Sequence, residues 1–138
     1  MQFRKATIRD LELLVRFNLA LIEDEGQQNQ LSLPALEGRL RSWLRQGYRA
    51  IVFEEQMIPV GYVLYRQEDM LVYVRHFFID RPYRRQGRGR RAMEALLAEV
   101  WPSDMRIMLD VLYANESGYA FWKSLGFTEY AVTLTLRG

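Results

Sequence analysis

Leu71 to Trp101, LVYVRHFFIDRPYRRQGRGRRAMEALLAEVW, constrains the fold of this chain more than any other stretch. A hydrophobic strand runs into a basic loop with two glycines, and the loop runs into an amphipathic helix. Such a turn is a ready anion site. The first N–H groups of the helix have no internal acceptor, and the helix dipole adds partial positive charge to them. Arg84, Arg85, Arg88, Arg90 and Arg91 crowd the same turn, and Gly87 and Gly89 let a ligand approach the backbone. A phosphate-bearing ligand is expected there.

The rest of the chain bounds what that turn can belong to. Its 138 residues suit one domain, 1–138, with a single core. A composition of 49% hydrophobic and 26% charged residues is that of a globular protein. No apolar run approaches the ~20 residues of a membrane span, and MQFRKATIRD lacks the apolar centre of a signal peptide. The absence of cysteine excludes disulfides, thiolate metal sites and a Cys nucleophile, and fits a cytoplasmic location. No metal site is expected. A net charge of +2 is too small for general nucleic-acid binding, so the local arginine cluster carries the information.

Hydrophobic periodicity predicts the remaining elements. A short strand is expected over residues 2–7, then a helix capped by Asp10 with Leu13, Leu14, Phe17, Ala20 and Leu21 on one face. Its end, Glu23-Asp24-Glu25-Gly26, places acids where the dipole disfavours them. They read either as a solvated loop or as an acidic lip for a cationic substrate. After the polar segment Gln27 to Leu33, Pro34 opens a second helix with Leu36, Leu40, Trp43 and Leu44, and Gly47 stops it. Tyr48–Glu54 and Ile58–Arg66 then form a meander with the strand that begins at Leu71. Beyond Trp101, Arg106–Leu112 is nearly all apolar, as a strand buried on both faces should be. Strand, helix and strand in this order give parallel neighbours with a right-handed crossover. Asn115 caps a last helix that stops at Gly126. Tyr130, Val132, Leu134 and Leu136 alternate with Ala131, Thr133, Thr135 and Arg137, which predicts a final strand with one core face. The expected class is α/β, a mixed sheet with helices on both faces.

Two motifs point to a family. Arg84 to Gly89, RRQGRG, resembles the Arg/Gln-x-x-Gly-x-Gly/Ala loop of the GCN5-related N-acetyltransferases (GNAT). NESGYAFWKSLGF resembles the second signature of that family, anchored by Asn115, Gly126 and Phe127. The element order matches across nearly the full chain. The resemblance implies a centrally splayed sheet, acetyl-CoA as donor and a small-molecule amine as acceptor, with a protein N-terminus or lysine as the alternative. It implies that the pyrophosphate sits on backbone N–H groups from Arg85 to Arg90, with Gln86, Gly87, Arg88 and Gly89 between them. Arginine side chains such as Arg84 are left for the 3′-phosphate or for solvent. Pantetheine would pair with the free edge of the strand through Phe77, Phe78 and Ile79, near Asn115, Phe121 and Trp122. A backbone N–H near Phe77 or Phe78 would polarise the thioester carbonyl.

Transfer would then be direct, with proximity carrying much of the rate. His76, the sole histidine, is the candidate base because its ordinary pKa of ~6.5 suits proton transfer. Tyr73, with a water chain to Glu23 or Asp24, competes with it. Trp122 falls where the family often carries Tyr, and an indole cannot practically deliver a proton. Tyr119, one turn earlier, is the substitute acid, with Tyr113 at the strand end as the alternative, although a thiolate leaving group needs none. Glu23 and Asp24 are the expected acceptor-binding acids. Many relatives dimerise, so a homodimer is a further expectation. Trp122 also keeps open an acyl-CoA-binding protein without catalysis.

Two other readings compete. Gly87 to Ala92 formally matches a dinucleotide fingerprint, with Asp110 about 20 residues on. It lies past mid-chain, after an antiparallel meander, with too little chain left for the remaining strands. A nucleic-acid patch at Arg84 to Arg91 is disfavoured by the glycines within the run.

Overall fold

Thr7, rather than Asp10, begins the first helical segment. Its side chain accepts from the Arg9 N–H, and Asp10 answers by accepting from the Thr7 N–H at 2.8 Å, a capping box around one 3-10 turn. Asp10 also takes two hydrogen bonds of 3.0 Å from Arg4. Helix α1 (Leu11–Asp24) continues directly from this turn. Helix α2 (Leu33–Arg45) starts on the Ser32 cap with Pro34 in its first turn. The computed structural model describes residues 1–26 and 31–138, so Gln27 to Gln30 of the polar segment Gln27 to Leu33 lie outside the described residues.

The meander forms as its alternation requires. Strands β1 (Gln2–Lys5), β2 (Tyr48–Glu55), β3 (Ile58–Glu68) and β4 (Leu71–Ile79) pair antiparallel in that order, and β5 (Arg106–Leu109) adds parallel to β4. Between β4 and β5 the chain runs through α3 (Arg88–Ala95), which ends in one π turn, Leu96–Val100, before Trp101. Helix α4 (Glu116–Ser124) follows β5, with the Asn115 side chain accepting from the Gly118 N–H at 3.1 Å.

Period-two alternation in β3 separates two cores. Tyr62 and Leu64 point toward α1 and α2 and pack with Leu14, Phe17, Leu36, Leu40 and Phe78. Val63 and Tyr65 point the other way, toward Ala92, Met93 and Leu96 of the α3 segment and toward Trp101. The sheet thus has helices on both faces, as expected.

The register of β4 is broken once. Leu64 pairs with His76 and the next residue, Tyr65, pairs with Val74, so Arg75 is an extra residue, a β-bulge. Arg75 and His76 consequently both face α2: the Arg75 guanidinium lies over Trp43 at 4.8 Å and His76 packs edge-on to Trp43 at 5.2 Å.

Two expectations for the C-terminal third are corrected. The strand expected to reach Leu112 stops at Leu109, and its apolar residues are only half-buried. Its single neighbour, β4, covers one edge over four residue pairs, so nothing encloses it on both sides. The expected final strand at Tyr130–Arg137 has no strand partner among the described residues. Tyr130, Val132, Leu134 and Leu136 are 70%, 81%, 89% and 92% exposed. Among the described residues, none after Trp101 is buried.

Candidate functional site

The bulge at Arg75 is where the sheet opens. Pairing between β4 and β5 runs from Leu71↔Arg106 to Val74↔Leu109 and stops there, while β4 continues to Ile79. From Arg75 onward the β5-side edge of β4 is therefore free to pair with a ligand. A cleft of about 570 Å³ fills the gap, and Val74, Phe77, Phe78 and Ile79 line one side of it while Leu109 and Asp110 line the other. The Phe77 ring forms the floor against α4, stacked on Phe121 at 6.1 Å and edge-on to Trp122 at 5.2 Å.

The far end of this cleft is the basic loop. Gly87, at φ 78°, is the left-handed residue before α3, and Arg85 is also left-handed at φ 64°. Any Cβ at position 87 would be strained in that conformation. The first helical bond of α3 runs from the Arg91 N–H to the Gly87 carbonyl at 3.0 Å, so the N–H groups of Arg88, Gly89 and Arg90 have no acceptor within the helix. Gly89 serves a different purpose. A Cβ there would sit 3.1 Å from the Phe121 ring, so the missing side chain allows α3 and α4 to close around the loop.

Most of the arginines are committed to protein contacts. Arg84 donates to the Ile79 carbonyl at 2.6 Å and pairs with Asp24. Arg88 bonds Glu55 at 2.8 Å, the Tyr83 carbonyl at 3.1 Å and the Gln86 side chain at 2.6 Å. Arg90 reaches the Ser124 carbonyl and hydroxyl, and Arg91 the Gln86 carbonyl. Arg85 lines the cleft and makes no such bond among the described residues. The arginine cluster is thus largely a brace for the loop, with Arg85 as the cation left over among the described residues.

The fold, the splayed edge and the bare helix start can be set beside known proteins. The profile described as Acetyltransferase (GNAT) family matches residues 15–127. The chain belongs to the GNAT acetyltransferase family. No curated protein sequence matches it. A possible acetyltransferase from Clostridium difficile 630 superposes with a TM-score of 0.77 at 21% identity, over 99% of this chain and 96% of that one. A predicted acetyltransferase with acetyl-CoA from Clostridium acetobutylicum gives 0.77 at 19%, over 99% and 95%. An aminoglycoside 6′-N-acetyltransferase from Acinetobacter haemolyticus gives 0.76 at 14%, over 100% and 98%. At these identities the likeness establishes the fold.

Within this GNAT cleft the sequence-predicted residues divide. Phe77, Phe78, Ile79, Arg84, Arg85, Gly87, Arg88, Gly89, Arg90, Asn115, Phe121, Trp122 and Asp24 all line it. Gln86 does not; it braces Arg88 and Arg91 from behind. The placement expected for His76 is corrected. Its ring lies on the α2 side of the sheet, where Nδ1 shares a 2.9 Å hydrogen bond with the Tyr62 hydroxyl, and it is absent from the cleft lining. Enclosure by protein, reinforced by Arg39 and Arg75, holds its pKa down to about 3. Tyr119 is likewise outside the cleft, its hydroxyl donating to Glu129, a contact that raises its pKa.

The acidic helix end also sorts itself. Glu23 is exposed and away from the cleft. Asp24 is occupied by Arg81 at 3.1 Å and by Arg84, which together offset its poor position at a helix C-terminus. Glu25 lines the cleft beside Asp24, half-buried and with no cation paired to it among the described residues. Burial first, and then the neighbouring Asp24, hold its carboxyl above the ordinary Glu value. Across the opening, Asp110 accepts from the Tyr73 hydroxyl at 2.7 Å, and burial with that bond pushes the Tyr73 pKa up to about 12. The inward position of Glu25 could not be read from its sequence neighbours. Which of three consecutive acids reach the cleft depends on where α1 stops.

Proposed function

We propose that residues 1–138 act as one N-acetyltransferase domain that moves an acetyl group from acetyl-CoA directly to the amine of a small cationic molecule. One observation carries this reading: the free edge of β4 and the bare N-terminus of α3 open into the same cleft. The residues present fit the donor. The N–H groups of Arg88, Gly89 and Arg90 suit a pyrophosphate, Arg85 offers a cation to a phosphate, and the Arg75–Ile79 edge suits the amides of pantetheine. Acetyl-CoA supplies an activated thioester, and its thiolate, with a pKa near 8.5, leaves without an obligatory acid.

What the chain adds is position and a proton acceptor. A β4 N–H beyond the bulge would stabilise charge on the thioester oxygen. The amine nitrogen forms its bond to the acetyl carbon as the carbon–sulfur bond breaks, and the amine proton passes to Glu25 directly or through one water. Glu25 is the better base than His76, because it lies in the cleft and its raised pKa moves it toward neutrality. A carboxylate there, with Asp110 opposite, also attracts a cationic acceptor. His76 then serves the packing of β4, and neither Tyr119 nor Trp122 is needed as an acid.

Acetyl-CoA at 100 times its Kd should stabilise the protein by ~2.7 kcal/mol, read as a rise in Tm. Gly87→Val, which forces a branched side chain into a left-handed turn, should abolish that rise. An unchanged rise would reject the loop as the donor site. Glu25→Gln should lower kcat/KM by roughly 10²–10⁴ against an amine panel with a free-thiol readout, and should remove the acid limb of its pH profile. That limb rises with pH, because the ionised carboxylate is the active form. If wild-type protein binds acetyl-CoA yet releases no thiol with any amine, the chain is a binding protein of the same fold.

A further inference from the structure

Among the arginines that line the cleft, Arg84 and Arg88 pair with carboxylates and Arg90 is held by Ser124. Arg85, at the loop end, is matched by the phosphates of the donor. Arg75 has no such counterpart. It sits at the opposite end of the cleft, on the bulge where β5 parts from β4. Its Nε donates to the Tyr48 hydroxyl at 3.0 Å, which fixes the stem. Both terminal nitrogens of the guanidinium are left without a hydrogen-bond partner among the described residues.

The surroundings hold this guanidinium in place without neutralising it. Trp43, Tyr48 and Tyr73 offer it their rings at 4.8, 5.2 and 5.6 Å. Asp110, which also lines the cleft, accepts from the Tyr73 hydroxyl instead. A second cation stands on α2. Arg39 lies over Trp43 at 5.0 Å and bonds the buried Asn18 at 3.3 Å, while its Nε is buried with no partner among the described residues. Burial first, and also the charge of Arg75, hold the Arg39 pKa below its ordinary value. Two like charges over one indole are unfavourable for the free protein, and an anion would relieve them. Glu25 belongs to the same neighbourhood. Burial first, and then Glu25, push the pKa of the Tyr62 hydroxyl up, and Arg39 opposes them. The proposed base and the cationic pair are therefore neighbours.

We propose that Arg75, supported by Arg39, receives a carboxylate on the acceptor, so that the molecule acetylated is an amino acid. This rests on the acetyl-transfer reading and narrows its acceptor: the ammonium end faces Glu25 and Asp110, and the carboxylate end faces Arg75. A planar guanidinium with two free terminal nitrogens matches the two oxygens of a carboxylate. An anchored carboxylate also fixes the position of the amine, which holds its nitrogen in one place against the thioester. An amine that lacks the carboxylate leaves the two guanidiniums uncompensated, and so it is bound less well.

The standard amino acids, each beside its own carboxamide, supply the test, with acetyl-CoA as donor and free thiol as readout. The carboxamide has the less basic amine, so a preference for the acid has to come from the protein. At least one acid should exceed its carboxamide in kcat/KM by roughly 10–100-fold. Arg75→Met, which keeps the stem and removes the charge, should bring that ratio close to unity. Arg75→Lys should restore part of it, and Arg39→Gln should lower it less than Arg75→Met does. Calorimetry of the preferred acid against the CoA-loaded protein reads the same site without chemistry: the acid should bind, its carboxamide should not, and Arg75→Met should lose the heat. Thiol release from acid and carboxamide alike would overturn the carboxylate site and leave acetyl transfer standing. Carboxylate-dependent binding with no thiol released would support the site and overturn the transfer reading on which the acceptor rests. A preference that survives in a folded Arg75→Met protein, or the absence of binding by any acid, would sink the assignment of Arg75.

Discussion

β3 and β5 flank the same strand, and they treat it differently. β3 pairs with β4 from Glu68↔Leu71 to Gly61↔Ile79, and Tyr62, Val63 and Leu64 within it are fully buried. β5 pairs with β4 over four residues and buries none of its own. The first side of the sheet is finished by the chain itself, with α1, α2 and α3 covering β1 to β4. The second is left half-built, a four-residue strand with β4 on one edge and no strand on the other among the described residues. Burial is thereby divided along the sequence at Trp101, after which no described residue is buried, while the cleft draws its lining from both sides of that border.

The separation can be tested from the packed side outward. Leu40→Ala removes a fully buried side chain from the α2 face and should cost roughly 2–5 kcal/mol in chemical denaturation. A cost near zero would mean that the packed side is not where stability resides. A smaller effect should accompany pH. The folded pKa of His76 is depressed from 6.5 to about 3, so its neutral form contributes stability that is complete above pH 6.5 and lost as the pH falls toward 3. Between pH 6.5 and pH 5 the loss should be roughly 1–2 kcal/mol, and His76→Gln should flatten it. If the slope survives in that variant, some other group is responsible. The smallest effect belongs to the open side. Leu134→Ser at high dilution should change stability by no more than about 0.5 kcal/mol.

Legibility in the amino-acid sequence divides along the same border. The strand, glycine loop and helix from Leu71 to Trp101 were legible because their signals are local: alternation, a left-handed glycine, a helical stripe. The two buried helix faces, Leu14 with Phe17 and Leu36 with Leu40, were legible for the same reason. The early end of β5 and the unpaired segment after Phe127 were not, since alternation reports that a strand wants a partner and not whether one is present. The arginines misled in a related way. Five cations in one turn suggest a phosphate clamp, but ion pairing across 33 residues to Glu55 and 60 residues to Asp24 cannot be seen in the run itself. His76 was misplaced by a single extra residue, Arg75, which changes the face to which the rest of β4 points.

That extra residue has an evolutionary consequence. Without Arg75, β4 would run in regular register beside β3, and its outer edge would lose the kink at which β5 parts from it. Its deletion would also turn the side chains from His76 to Ile79 onto the opposite faces, taking Phe78 away from Phe17 in the core beneath α1 and α2. One extra residue thus ties the open edge of β4 to the packing of its far half, so neither can change in the lineage without the other.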